Sequence, residues 1–324
     1  MVKITLLARV SLVFFLLVLL CVPVVKGHPA PEQGNPAGKG MSFLQALALG
    51  VVEGLTEYLP VSSTGHLLVA QRAMGIGGDK GVPSVQGKGR KEASDAYAIC
   101  IQGGAILAVI YLYWSRVRVM AWGLVGKDPQ GLSLALRLGL AFLPAAVMGL
   151  LLESEIKQHL FGPWPVVVAW LVGGGVILWF SRWKRRGGNI SGSPLERLGW
   201  REALLIGFIQ CVAMWPGVSR SLATILGGLV AGLSMPAALE FSFLLGVLTL
   251  GAASIFDALK HGEVMARFFE PISMAAGFLA AFVSAVVAVR WMVGYLQGHG
   301  LDVFGYYRIG LALAVAALLL LGLI

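Results

Sequence analysis

Long apolar runs recur along this chain, and they constrain its fold more than any other feature. Each run is close to the ~20 residues that a helix needs to cross the apolar core of a bilayer. The runs cover residues 97–114, 138–152, 164–181, 237–258, 271–293 and 304–324. Charged residues make up only 13% of the sequence, against about 25% in a typical soluble domain. The chain is therefore predicted to be an all-α polytopic membrane protein with about six full spans.

The positive charge of the chain does not indicate a nucleic-acid partner. The formal net charge is +9, but the basic residues lie between apolar runs, most densely in RWKRRGG at 182–188. Lys and Arg concentrate in this way in the cytoplasmic loops of membrane proteins. The three cysteines lie far apart in apolar stretches, so their spacing predicts neither a metal site nor a redox pair.

The N-terminal segment is predicted to be a secretory signal or a membrane anchor that precedes the integral membrane domain. Residues 1–27 combine basic residues, an apolar core and small residues near the end, as secretory signals do. An uncleaved membrane anchor fits the same pattern, so both interpretations stay open. Residues 28–40 are rich in Pro and Gly and predict a linker. The integral membrane domain is expected to cover residues 41–324.

Two segments of this domain look like copies of each other. Residues 45–64 align with residues 202–221, which matches Gly50 to Gly207 and Ser62 to Ser219. The halves would span about residues 42–181 and about 199–324. Three predicted crossings separate the two copies, so the second would be inverted. In such inverted repeats the broken segments meet near the bilayer midplane and form a binding site.

Each copy contains residues that break a helix inside an apolar stretch. Pro60 interrupts the first copy and Pro216-Gly217 interrupts the second, and polar residues follow both. A helix usually ends at such a proline. Irregular backbone at membrane depth persists only where protein buries it or a wet cavity adjoins it. We therefore predict two re-entrant helix-loop-helix segments, whose helix N-termini would suit an anion.

Two acidic residues and a serine-histidine pair flank the first break. Glu53 and Glu57 are four residues apart and share a helix face. Neighbouring carboxylates repel unless a cation or a shared proton lies between them, which predicts divalent-metal or proton chemistry. His66 follows Ser63 by three residues and could activate the Ser63 hydroxyl as a nucleophile. A purely structural histidine is the alternative.

Arg220 is the most informative single residue of the second copy. It lies between two serines, directly after the break and deep in an apolar segment. A charge inside the membrane is costly and indicates a functional site. The planar donor fork of arginine suits phosphate, and Thr224 lies one turn further on. If the two breaks meet, an anion receptor faces carboxylates, which indicates phosphoryl chemistry or phosphate transport.

The residues around both breaks resemble a known family. EGLTEYLPVSSTGH (53–66) and PGVSRSLAT (216–224) look like the two signature motifs of the undecaprenyl-diphosphate phosphatases, the bacitracin-resistance membrane proteins. The likeness continues through IQGGAILAV (101–109), EFSFLL (240–245) and FGYYRI (304–309). The second motif commonly has a glycine where this chain has Leu222, and the N-terminal extension is unusual for the family.

The resemblance implies a function and a site. The expected reaction converts undecaprenyl diphosphate to undecaprenyl phosphate and inorganic phosphate, which recycles the lipid carrier for cell-wall synthesis. The resemblance also implies a divalent cation (Mg²⁺ or Ca²⁺) on Glu53 and Glu57, and a multi-pass protein of the bacterial plasma membrane whose site opens to the outer side. The candidate catalytic residues are Glu53, Glu57, Ser63, His66 and Arg220. The candidate substrate-binding residues are Ser62, Gln210, Ser219, Arg220, Ser221 and Thr224.

Several alternatives stay open at this stage. Inverted repeats are also the architecture of transporters, so a flippase for a lipid phosphate, or another anion transporter, is the second functional hypothesis. Ser63, with His66 as its base, or a water molecule activated by His66 could attack the phosphorus. Membrane lipid is an expected partner, and the oligomeric state is open, with a homodimer among the options.

Overall fold

The computed structural model describes residues 41–76, 84–187, 192–268 and 271–323. The predicted signal or anchor and the linker, residues 1–40, lie outside the described residues. The described part contains eleven α-helices and two short 3₁₀ turns, Leu195–Arg197 and Val212–Met214. The helices are α1 Phe43–Thr56, α2 Ser63–Ala73, α3 Ser84–Leu112, α4 Trp114–Leu124, α5 Pro129–His159, α6 Pro163–Arg185, α7 Trp200–Cys211, α8 Arg220–Val230, α9 Met235–Phe268, α10 Pro271–Gly298 and α11 Asp302–Leu320.

Five of these helices are long and apolar enough to cross a membrane, namely α5, α6, α9, α10 and α11. The apolar part of α3, Tyr97–Leu112, meets α4 at an angle of 84°. These two helices add a sixth crossing if they are counted as one broken span. The number agrees with the six spans predicted from the apolar runs. The chain is an all-α polytopic membrane protein.

The outer surfaces of the spans are apolar, as contact with lipid requires. Large apolar side chains point away from the protein on separate helices, among them Leu150 (71% exposed), Ile272 (72%) and Leu313 (59%). In water such faces would be unfavourable, whereas lipid tails accept them because the backbone polar groups are satisfied within each helix. The polar residues of the predicted site are buried inside the bundle instead.

Both predicted helix breaks are present. In the first arm, α1 ends at Thr56 and α2 begins at Ser63. In the second arm, α7 ends at Cys211, a 3₁₀ turn follows, and α8 begins at Arg220. With 14 residues, α1 is about 21 Å long and does not reach across a bilayer core of about 30 Å. Each arm is therefore a broken segment rather than a span.

The residue before the second helix of each arm has an unusual backbone conformation. Ser62 has φ 73° and Ser219 has φ 79°, and they are the only non-glycine residues with positive φ in the described part of the chain. Such a conformation disfavours residues that carry a Cβ and is found mainly where the surrounding structure enforces it, often at functional sites. The two serines are the pair that the sequence alignment of the two copies matched.

The two arms also pack in corresponding ways. α1 packs against α10, and α7 packs against α5. A Cβ on Gly50 would clash with the Gly277 carbonyl oxygen, and a Cβ on Gly207 would lie 2.5 Å from the Ala141 carbonyl oxygen. Small residues allow helices to approach this closely, and Gly50 and Gly207 are matched positions. These correspondences support the internal repeat, while the inverted orientation of the second copy stays a prediction.

Candidate active site

The two breaks lie against each other inside the bundle. The Ser221 hydroxyl donates a hydrogen bond to the Leu59 carbonyl at 2.8 Å, and the Ser219 hydroxyl lies 3.5 Å from the same oxygen. The two hydroxyls are 2.9 Å apart. Both serines are 160 or more residues away from Leu59 in sequence. The hydroxyls were predicted to bind substrate; in the structure they join the second break to the first.

Ser63 is paired with a carboxylate. Its hydroxyl donates to Oε2 of Glu57, and both side chains are buried. Ser63 and His66, both of which the structure describes, do not form the hydrogen bond that their spacing suggested. Glu57 stands at the end of α1 and Ser63 at the start of α2, so the break folds the carboxylate back onto the serine. A carboxylate in this position can accept the hydroxyl proton.

His66 supports the backbone of the first break. Its Nδ1 lies 2.7 Å from the Ser62 carbonyl oxygen and its Nε2 lies 2.8 Å from the Tyr307 hydroxyl. A carbonyl only accepts, so Nδ1 carries the proton, and in the neutral ring Nε2 accepts from Tyr307. His66 therefore stabilises the positive-φ residue that immediately precedes Ser63. These contacts favour the structural role that the sequence left as the alternative, and the catalytic role of this histidine stays a prediction.

Arg220 brings a buried guanidinium to the carboxylate. Nη2 lies 3.5 Å from Oε1 of Glu57, which is an ion pair but long for a hydrogen bond. Nη1 donates to the Ser242 carbonyl at 3.0 Å, and the guanidinium lies 5.3 Å from the ring centre of Tyr58. Nε and Nη2 have no hydrogen-bond partner among the described residues. Because unpaired buried donors are costly, this arginine is suited to binding an anion.

Glu53 completes the acidic side of the site. It is 1% exposed, neighbours Glu57, and its Oε2 has no hydrogen-bond partner in the described part of the chain. Within the same residues there is no group of three or more His, Cys, Asp or Glu side chains that could hold a metal. Mg²⁺ is often held by one or two carboxylates together with substrate phosphates and water. The pair Glu53 and Glu57 fits a cation of that kind.

The remaining predicted substrate-binding residues are buried near the second break. The Thr224 hydroxyl lies 2.6 Å from the Ser242 hydroxyl. Oε1 of Gln210 accepts from the Thr249 hydroxyl at 3.3 Å, and its Nε2 has no partner among the described residues. The structure thus groups Thr224 with Ser242 beside Arg220, whereas the described contact of Gln210 is with another part of α9.

The sequence matches the family described as "Bacitracin resistance protein BacA" over residues 46–314, which is most of the chain and includes both breaks. The chain belongs to the BacA family.

Several relatives of this BacA-family protein match it over most of their length. "Undecaprenyl-diphosphatase" of Sorangium cellulosum is 43% identical over 276 residues, which is 85% of this chain and 86% of the relative. "Undecaprenyl-diphosphatase 2" of Rhodospirillum rubrum is 43% identical over 282 residues, 87% and 97% of the two chains. "Undecaprenyl-diphosphatase" of Nitrosomonas europaea is 41% identical over 274 residues, 84% and 93%.

The sequence reasoning missed several residues of the site. Tyr307, Arg308 and Ser242 all contact the breaks or Arg220. Arg308 was detectable, because it is a charge inside the apolar run 304–324 and the argument used for Arg220 applies to it equally. Ser242 and Tyr307 lie within the family-like segments EFSFLL and FGYYRI, but the sequence did not single out either residue, because its partner is far away in the chain. Leu222, where the family motif commonly has glycine, is buried in the apolar core.

We expect Gly246→Ala to lower kcat/KM by about 10- to 100-fold. A Cβ at this position of α9 would lie 2.6 Å from Cζ of Arg220, so the guanidinium must move away from Glu57. Gly251→Ala on the same helix is the matched control, because a Cβ there meets nothing within 4 Å. Phosphate release by the two purified variants measures the effect, and equal activity would show that the position of Arg220 is not critical.

We expect Tyr307→Phe to lower kcat by about 2- to 10-fold, the value of one ordinary hydrogen bond. The change removes the hydroxyl that bonds Nε2 of His66 but keeps the ring, which stacks on the imidazole at 5.8 Å. Tyr306→Phe is the control, since Tyr306 is 61% exposed. A steady-state assay compares the two, and an unchanged kcat in Tyr307→Phe would contradict a positioning role for this hydroxyl.

Proposed function

We propose that this chain hydrolyses undecaprenyl diphosphate to undecaprenyl phosphate and inorganic phosphate. The observation that carries the proposal is the buried Arg220 guanidinium, whose Nε and Nη2 atoms make no hydrogen bond within the described residues and which faces the Glu57 carboxylate that accepts from Ser63. This arrangement supplies an anion receptor beside a nucleophile and its base. The names of the relatives support the same reaction.

The positive charge of Arg220 is the proposed binding group for the diphosphate. In our proposal the Nε and Nη2 donors of Arg220 bind oxygens of the diphosphate, whose isoprenoid tail lies in the surrounding lipid. The Tyr58 ring and the Ser242 carbonyl fix the guanidinium, so little reorganisation is required when the anion enters. The same donors would stabilise the negative charge that spreads over the phosphoryl oxygens in the transition state.

The chemical step transfers a phosphoryl group to Ser63. Its Oγ forms a bond to the terminal phosphorus, the anhydride P–O bond breaks, and undecaprenyl phosphate leaves. Glu57 accepts the proton from Oγ, because the hydroxyl already donates to this carboxylate. The proton then passes from Glu57 to the departing undecaprenyl phosphate, which restores the carboxylate. Glu57 next deprotonates a water molecule, whose oxygen bonds to phosphorus as the bond to Ser63 Oγ breaks. That proton returns to Oγ, and inorganic phosphate leaves. In this mechanism Glu57, rather than His66, is the base. The alternative mechanism is direct attack of water on the terminal phosphorus.

We also propose that Glu53 and Glu57 hold a divalent cation, Mg²⁺ or Ca²⁺. The buried Oε2 of Glu53 without a hydrogen-bond partner supports this assignment. When bound, the cation would neutralise negative charge on the phosphate oxygens. Removing divalent ions with EDTA should lower phosphate release by at least about 10²-fold, and Mg²⁺ or Ca²⁺ should restore it. Full activity in EDTA would contradict a required metal.

The cellular setting is a further part of the proposal. We infer a location in the bacterial plasma membrane, a site that opens to the outer side, and two copies of the repeat in inverted orientation. The excess of basic residues at the end of α6 supports an inner position for that end. Recycling of the lipid carrier at the outer side would confer bacitracin resistance. A homodimer is compatible with this arrangement.

An assay in detergent tests the function. Purified protein, supplied with undecaprenyl diphosphate and Mg²⁺ or Ca²⁺, should release inorganic phosphate without a membrane gradient. A transporter or flippase would release none under these conditions. Absence of phosphate release by a monodisperse, folded sample would therefore reject the enzyme proposal and favour the transport alternative.

A further inference from the structure

Arg308 is a buried cation that the proposed reaction does not use. It lies on α11 inside an apolar run and is 0% exposed. None of the ion pairs within the described part of the chain includes it. Burying an arginine without a carboxylate is unfavourable unless other groups accept its hydrogen bonds. The groups that accept hydrogen bonds from Arg308 therefore indicate its role.

All the hydrogen bonds of Arg308 go to backbone carbonyls around the two breaks. Nη2 donates to Gly217 at 2.7 Å and to Ala169 at 2.9 Å, and Nη1 donates to Pro60 at 3.2 Å. Pro60 belongs to the first break, Gly217 to the second, and Ala169 to α6 between them. A broken helix leaves carbonyls without helical partners, and one guanidinium satisfies a carbonyl of each break.

Helix α6 has a notch for this guanidinium. A Cβ on Gly173 would lie 2.8 Å from Cζ of Arg308, so only glycine leaves the space. The second break is pressed against the same helix, because a Cβ on Gly217 would lie 2.8 Å from that of Ala169. Gly217 has φ +100°, a conformation that favours glycine. Two glycines thus allow the arginine, the break and α6 to meet.

We propose that Arg308 is a positioning residue that fixes the two halves of the active site relative to each other. Glu57 and Ser63 flank the Leu59-Pro60 turn of the first break, and Arg220 follows Gly217 in the second. Ser219 and Ser221 contact the Leu59 carbonyl, while Arg308 holds the next carbonyl, that of Pro60. Loss of the Arg308 bonds would let the phosphate-binding arginine shift relative to the nucleophile.

The geometry of the side chain explains why an arginine is needed. The planar guanidinium presents fixed donors that reach three carbonyls at once, whereas a lysine ammonium is a compact point charge on a flexible stem. Lysine at this position would keep the charge but lose part of the link between the breaks. A charge effect and a positioning effect are therefore separable by substitution.

The experiment compares kcat and KM for four purified variants with undecaprenyl diphosphate in detergent, and it rests on the proposed function. Arg308→Met should lower kcat by about 100-fold while KM changes by less than about three-fold, because misplaced reacting groups slow the chemical step. Arg308→Lys should be intermediate. Gly173→Ala, which keeps the charge but displaces it, should lower kcat by about 10-fold. Gly175→Ala, where a Cβ meets nothing within 4 Å, is the matched control.

Each result has a defined meaning. Size-exclusion chromatography and thermal unfolding give the folded fraction, and kcat is expressed per folded molecule. Unchanged kcat in Arg308→Met, or full activity in Gly173→Ala, would overturn the proposal and leave Arg308 a purely structural residue. If Arg308→Met does not fold, Gly173→Ala and Arg308→Lys decide. An inactive wild-type protein would instead reject the proposed function, so the two failures are distinguishable.

Discussion

Arg220→Ala should abolish phosphate release, with a loss of about 10³-fold or more in kcat/KM. The guanidinium is the one cationic side chain placed against Glu57 in the described part of the chain. Its Nε and Nη2 atoms, which make no hydrogen bond among those residues, are the proposed phosphate ligands. Its removal also leaves two neighbouring buried carboxylates, Glu53 and Glu57, without an adjacent cationic side chain. Steady-state release of phosphate from undecaprenyl diphosphate measures the loss.

Two further variants define this prediction. Arg220→Lys should retain part of the activity, because the charge remains but the fork that spans two phosphate oxygens is lost. Arg185→Ala is the control: Arg185 is 62% exposed and paired with Asp302 at the protein surface, where an ion pair contributes little. Activity of Arg220→Ala equal to that of Arg185→Ala would show that the buried guanidinium does not bind the diphosphate.

Ser63→Ala and Glu57→Gln should each lower kcat by about 10³-fold. The first change removes the proposed nucleophile, and the second removes the carboxylate that accepts its proton. Reaction of the wild-type protein, stopped with acid and followed by mass spectrometry, should yield phosphoserine on the peptide that contains residue 63. Ser254→Ala is a suitable control, since Ser254 bonds Gln102 on α3 rather than a residue of the breaks.

The pattern of losses distinguishes the two attacking oxygens. Full activity in Ser63→Ala together with loss in Glu57→Gln would assign the attack to water, with Glu57 as its base. Loss in both variants without phosphoserine would leave Ser63 as a binding residue only. Only loss in both, together with phosphoserine on residue 63, supports covalent catalysis by Ser63.

Some features of the site followed from local sequence because they depend on local physics. Pro60 and Pro216 cannot continue a helix, so each break could be located to within a few residues. Glu53 and Glu57 share a helix face through a spacing of four, and both are buried beside the break. Arg220 was conspicuous because a charge within an apolar stretch requires a reason.

The pairing of these groups could not be predicted in the same way. Ser63 and His66 had the spacing of a catalytic pair, yet Ser63 bonds Glu57, which the turn at Pro60 brings back over it. The imidazole is occupied by Ser62 and by Tyr307, a residue 241 positions away. Local spacing predicts which side chains can contact each other within one helix. A break in the helix brings other side chains into contact, as it does for Ser63 and Glu57.

The sequence by itself therefore determined the membrane class, the two broken arms and the charged groups within those arms, since hydropathy, proline and burial cost act over short stretches. Only the tertiary structure decided how the arms meet. The Arg308 guanidinium connects carbonyls 248 and 91 residues away, and Gly173 and Gly246 make room for the two arginines. Such contacts arise from the packing of whole helices, which no short stretch of sequence encodes.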